Sequence, residues 1–217
     1  MHSARFIRMR REAIGFAIGS LFFFIGPWPW YADAVGAVTA NLTFFIGSLF
    51  FTTAALLQLL LEGRRPPWKS TTTGDVFDWW AAAIQLVGTA LFNVSTFQAW
   101  RAAVATPDAV GIGWRADLWG SVAFLISAGF ALAALRRQHE LWDFFARTPG
   151  AVWTGFAGCV AFAISAAGAY VIPGTSEALN LAWANIGTII GAACFFAAAV
   201  ATRPAVTERE AAPVASE

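Results

Sequence analysis

The side chains that could carry out covalent or proton-transfer chemistry are few and poorly placed for it. Cys159 and Cys194 are the only thiols, and His2 and His139 the only imidazoles. A nucleophile needs a base beside it to be activated. Both histidines stand in polar segments, away from the apolar stretches that hold the thiols. His139, Glu140 and Asp143 are ligand-type residues, but in a solvated charged segment they read as a charged face before they read as a metal site. The two cysteines have neither zinc spacing nor a disulfide framework, and there is no glycine-rich phosphate loop. The expectation is no catalytic residue, no metal site and no cofactor.

A second group is more informative. Asn41, Thr43, Gln85, Asn93, Ser95, Thr96, Asn185 and Thr188 are neutral polar residues inside apolar runs. An amide placed in hydrocarbon must find a partner. One reading is hydrogen bonding between helices. The other is a small polar cavity built from Asn41, Gln85, Asn93, Thr96 and Asn185, open to the outer side and suited to a neutral or zwitterionic ligand. Asp33, Asp108, Asp117 and Glu177 read as helix N-caps and solvated loop residues that could also attract cations.

The elements that must position these residues follow from composition. The chain has 217 residues, of which 58% are hydrophobic and only 12% charged, with a net charge of +1. A soluble domain carries about twice that charged fraction, and a nucleic-acid binder would be basic on one face. An integral membrane protein remains. A membrane-crossing helix needs about 20 mostly apolar residues, and such stretches occupy 13–30, 34–61, 76–100, 116–135, 150–172 and 178–201. None alternates as barrel strands do. Polar or proline-broken segments separate them: Gly26-Pro27-Trp28-Pro29, Arg64-Arg65-Pro66-Pro67, Thr106-Pro107-Asp108 and Ile172-Pro173-Gly174.

Of the 14 basic residues, only Arg101 and Arg115 fall on the side opposite both termini. By the positive-inside tendency both termini are expected in the cytoplasm. The 11 tryptophans all fall at or near expected interfaces, where the indole satisfies both its apolar body and its N–H. Ala32-Asp33-Ala34 resembles a signal-peptidase site, whose cleavage would leave five helices. The repeat carried by the first helix argues against that.

That repeat is a glycine, a small residue directly after it, a phenylalanine four after the glycine and a small residue seven after it. The glycines are Gly19, Gly47, Gly88, Gly120, Gly158 and Gly191, and the phenylalanines Phe23, Phe51, Phe92, Phe124, Phe162 and Phe195. The side chain four before the glycine is also small in Gly15, Thr43, Ala116, Thr154 and Gly187, and Ile84 departs from this. These positions share one helical face. Odd-numbered and even-numbered copies each recur at about 70 residues, so the unit is a two-helix hairpin present three times. Parallel repeats of this kind are related by rotation about the membrane normal. In lipid, small residues let backbones approach, and phenylalanine supplies the knob that fills a neighbour's groove.

Asn41-Leu-Thr-Phe-Phe-Ile-Gly47-Ser48-Leu-Phe-Phe, preceded by Ala17-Ile-Gly19-Ser20-Leu-Phe-Phe, resembles the YrhK-like family of small bacterial membrane proteins. The likeness is best over 13–61, and the helix-three stretch around Gly88 and the helix-four stretch around Gly120 are similar to diverged copies. Asn185 precedes Gly191 as Asn41 precedes Gly47, whereas Cys159 replaces the hydroxyl in helix five. The resemblance implies a bacterial inner-membrane protein and no particular activity.

The expected fold is an all-α membrane protein of six transmembrane helices, arranged as three tandem hairpins with cytoplasmic termini. Its parts are a basic segment 1–12, hairpins 13–61, 76–135 and 150–201, cytoplasmic loops 62–75 and 136–149, and a disordered tail 202–217. The inner loops hold basic, aromatic stretches such as Arg136-Arg137 with Leu141 and Trp142, which attract anionic headgroups. Expected partners are membrane lipids, with a second copy or another membrane protein left open, and no nucleic acid. The expected function is non-enzymatic (structural, binding or accessory), against a small transporter or channel for a neutral or zwitterionic solute.

Overall fold

A computed structural model describes residues 2–63, 73–106, 112–142, 147–175 and 177–211. Six helices follow in chain order: α1 (His2–Ile25), α2 (Pro29–Glu62), α3 (Thr73–Ala105), α4 (Trp114–Arg137), α5 (Arg147–Gly168) and α6 (Leu181–Ala211). The described residues contain no strand, only an isolated bridge between Val171 and Ala178 in the α5–α6 connection. Five helices are long and apolar enough to cross a membrane: α2, α3, α4, α5 and α6. The exception is α1, which spends its early turns on Arg8, Arg10 and Arg11 and stops at Ile25.

Local chemistry explains where the helices end. The apolar run 13–30 is helical only to Ile25, because Gly26 and Pro27 interrupt it and Pro29 then starts α2 at its first position, where a missing N–H costs nothing. Inside α2 the helix breaks at Gly36, whose φ of 81° and ψ of 159° suit glycine alone. Tyr31 and Thr43 bridge the break, hydroxyl to hydroxyl, at 2.7 Å. The run 150–172 is helical only to Gly168, and the run 178–201 becomes helical at Leu181. There the Asn180 side-chain oxygen accepts the Trp183 backbone N–H at 3.0 Å, as an N-cap does. Beyond the last apolar run, α6 stays helical to Ala211, so the segment expected to be disordered begins as helix. The proline pair at 66–67, Pro107, Asp108 and Asp143 lie outside the described residues.

The helices pack as a closed ring. Among the described residues the backbone of each helix comes close only to its neighbours in the chain, and α6 returns to α1; side chains meet across the centre. Neighbours run antiparallel. Along α1 and α2, Gly15 lies against Ala54, Gly19 against Gly47 and Phe51, and Gly26 against Phe44. Along α2 and α3, Ser48 meets Thr96, while near the other end Trp79 donates its indole N–H to the Gly63 carbonyl at 3.0 Å. The core is the inside of this ring. Large apolar residues such as Trp30, Val87, Trp119, Ile126, Ile164 and Ile190 are exposed around it, the arrangement expected of a bundle solvated by acyl chains.

Candidate functional site

The centre of the ring is aromatic. Phe23, Phe92 and Phe162, from α1, α3 and α5, form a triangle with ring centroids 6.2, 6.1 and 5.9 Å apart. Phe51, Phe124 and Phe195, from α2, α4 and α6, form a second group in which Phe195 lies 5.9 and 5.8 Å from the other two. The groups are joined by Phe23–Phe51 at 5.4 Å, Phe92–Phe124 at 5.0 Å and Phe162–Phe195 at 5.7 Å. Tilted and edge-on contacts of this kind are the ones the ring quadrupole favours. A void of only about 10 Å³ is left among Phe23, Phe51, Phe92, Phe124 and Phe162, too little for more than a water-sized probe and without polar partners to hold one.

Each phenylalanine is seated by a glycine of the adjoining helix, and the seating is reciprocal. Gly19 faces Phe51 while Gly47 faces Phe23, Gly88 faces Phe124 while Gly120 faces Phe92, and Gly158 faces Phe195 while Gly191 faces Phe162. A methyl group at any of these glycines would stand between 2.6 and 3.2 Å from the facing ring. Backbones come close as well: a Cβ at Gly88 would lie 3.1 Å from the Gly120 carbonyl oxygen, and one at Gly187 2.7 Å from that of Ala161. The residue after each glycine (Ser20, Ser48, Thr89, Ser121, Cys159 and Ala192) is buried in all six helices.

The hydroxyls join helices or fold back on their own. Ser48 and Thr96 share a hydrogen bond of 3.0 Å, Ser127 donates to the Ala81 carbonyl at 2.8 Å, and Ser165 donates to that of Ala184 at 2.7 Å. Ser121 reaches the Phe162 carbonyl at 3.3 Å. Ser20 donates within α1, to Phe16 at 2.7 Å.

The five residues expected to share a polar cavity are placed differently. Asn41 donates to the Ala37 carbonyl of its own helix at 2.9 Å. Gln85 accepts from Ser127 at 3.3 Å, and Thr96 is engaged with Ser48 and with the Phe92 carbonyl. Asn41 and Asn185 line neither the central void nor the groove described next. Asn93 does line that groove, and its side-chain oxygen is buried without a hydrogen-bond partner.

The groove, of about 750 Å³, opens on the outside of the ring between α2 and α3. Phe45 and Leu49 form one wall, and Asn93, Val94, Phe97 and Arg101 form the other, with Gln98 beside Arg101. The Arg101 guanidinium carbon lies 6.0 Å from the centre of the Phe97 ring. No carboxylate pairs with Arg101 among the described residues. The apolar pattern around these residues does not reveal the groove. The one signal that could have found it is Arg101 itself, one of only two basic residues, with Arg115, on the side opposite both termini.

At the opposite end of the ring, Glu12, midway along α1, sits near Glu62 at the end of α2. Burial, with the Glu62 charge adding to it, pushes the Glu12 carboxyl up to about 8. No cluster of three or more histidine, cysteine or acidic side chains able to hold a metal occurs among the described residues. No family model, no curated protein and no solved structure matches the chain.

Proposed function

We propose that this is a multi-pass membrane protein with a non-enzymatic role (structural, binding or accessory) in a bacterial inner membrane. In this reading the chain crosses six times, with α1 supplying the crossing that its short apolar length leaves unmarked. The crossings form three tandem YrhK-like hairpins, 13–61, 76–135 and 150–201, and both termini are cytoplasmic. The observation that supports it best is the reciprocal seating of six phenylalanines against six glycines. In the phenylalanine layer the void of about 10 Å³ has no polar lining to bind or transform a substrate, and among the described residues no base lies beside the thiols. The same filled layer supports a packing role over transport of a neutral or zwitterionic solute, because none of Asn41, Asn93 and Asn185 lines the central void.

Reporter fusions test the topology. Alkaline phosphatase fused at Gly63 or Gln138 should be inactive, and active when fused at Thr106 or Thr175. Activity at Gly63 overturns the orientation. Flux of a broad panel of neutral and zwitterionic solutes through reconstituted vesicles, lost on Asn93→Leu, would replace the packing reading with the transport one.

A further inference from the structure

The geometry points to the groove between α2 and α3 as a binding site for one anionic phospholipid, its phosphate on Arg101 and its acyl chains against Phe45, Leu49, Val94 and Phe97. Three observations converge. The groove opens outward, and Leu49, Val94, Phe97 and Ile112 along it are exposed, so in a membrane it faces the lipid. Arg101 is a cation at its mouth without an ion pair among the described residues. A basic residue on that side runs against the distribution of almost all the others, and an anionic headgroup is the counter-charge that such a position offers. Asn93, about two helical turns from Arg101 on α3, lines the same groove and brings a polar amide into its mostly apolar wall.

The spacing suits one molecule. The Arg101 guanidinium carbon lies 6.0 Å from the Phe97 ring, and Phe97 stands about one helical turn closer to Asn93 along α3. A phosphate held there lets the glycerol ester region descend toward Asn93. The Asn93 amide NH2 can donate to an ester carbonyl there. The aromatic wall is firm: the Phe45 ring stacks on Trp100 at 6.0 Å with planes 3° apart. This inference rests on the membrane reading but not on the orientation of the chain.

The test uses the full chain in dodecyl maltoside, with phosphatidylglycerol or phosphatidylcholine of identical acyl chains added. Retention is read by native mass spectrometry and folding by thermal unfolding. Wild type should retain phosphatidylglycerol preferentially. Arg101→Gln should lower that retention about fivefold, the ratio corresponding to ~1 kcal/mol for a basic residue beside an anionic headgroup, and leave phosphatidylcholine unchanged. Arg101→Lys should keep the preference, and so should Arg115→Gln, whose guanidinium lies over Trp114. Asn93→Ala should weaken both lipids. Equal retention of the two lipids by wild type, or full phosphatidylglycerol preference in Arg101→Gln, overturns the site. If Arg101→Gln unfolds, Arg101→Lys decides: a lost preference in a folded Lys variant counts against the site and a kept one for it. Failure of the membrane reading is distinguishable, since that chain would be monodisperse without detergent.

Discussion

Phe124 occupies the space that a side chain at Gly88 would need: a Cβ built there would stand 2.6 Å from the ring. The relation is mutual within the α3–α4 pair, because Phe92 takes the same place over Gly120. In lipid there is little hydrophobic force to bring helices together, so van der Waals fit decides which faces meet. A glycine facing a phenylalanine provides that fit in both directions at once.

Gly88→Ala should therefore destabilise the bundle by about 1–3 kcal/mol, the usual cost of overpacking, and Gly88→Leu by more. Gly129 is the control. It lies inside α4, and an added Cβ there meets nothing within 4 Å. Gly129→Ala should stabilise by up to about 1 kcal/mol through helix propensity alone. Melting of both variants in detergent checks the pair. Equal shifts would mean that the glycines matter for backbone entropy and not for the seat they offer.

Phe162 lies within ring-contact distance of Phe23, Phe92, Phe124 and Phe195. Phe162→Ala removes the centre of the plug and leaves a cavity on the axis, with an expected loss of about 3–5 kcal/mol. Phe196 is the next-but-one neighbour of Cys194 on α6 and is exposed, so Phe196→Ala should cost far less. Unfolding by a denaturing detergent series separates them, and similar losses at both positions would remove the aromatic cluster from its central place.

Much of this arrangement was legible beforehand, for a physical reason. Glycine, a small residue and phenylalanine at a spacing of four fall on one face of a helix whatever the helix packs against, so the twelve residues of the seats could be picked out by period alone. Which glycine receives which phenylalanine was not legible, because it depends on helix pairing, nor was the return of α6 to α1. The break at Gly36 was hidden by an apolar run that continues straight across it. Where the polar residues end up depends on helix rotation as well. Asn41, Asn93 and Asn185 share a depth by residue counting, but Asn93 lines the groove between α2 and α3 and Asn41 ends on its own backbone. The groove at Arg101 depends on the space between two helices, which no single stretch encodes.

The hydroxyls between helices should each count for little. Ser48 and Thr96 join α2 to α3 at 3.0 Å, and hydrogen bonds between helices in membranes average about 0.6 kcal/mol in double-mutant cycles. The cycle Ser48→Ala, Thr96→Val and the double variant should give a coupling near that value. A coupling of several kcal/mol would show that the α2–α3 seam is held by polar contacts and not by shape.

Glu12 makes the pH dependence of folding a readable quantity. Its carboxyl is pushed from an ordinary value of 4.5 up to about 8 by burial and by Glu62. A group with a raised pKa in the folded state binds more protons when folded than when unfolded. Its effect is therefore absent below the unfolded value, and it costs stability progressively as pH climbs from 4.5 through about 8. Glu12→Gln cannot ionise and escapes that cost. The variant should melt with wild type near about pH 4 and above it near about pH 9, the gap opening across the window between the two pKa values. Melting curves collected across that range check the prediction directly. A constant gap at every pH would locate the effect of Glu12 in packing at the α1–α2 end, and a gap that closes as pH rises would reverse the sign of the burial argument.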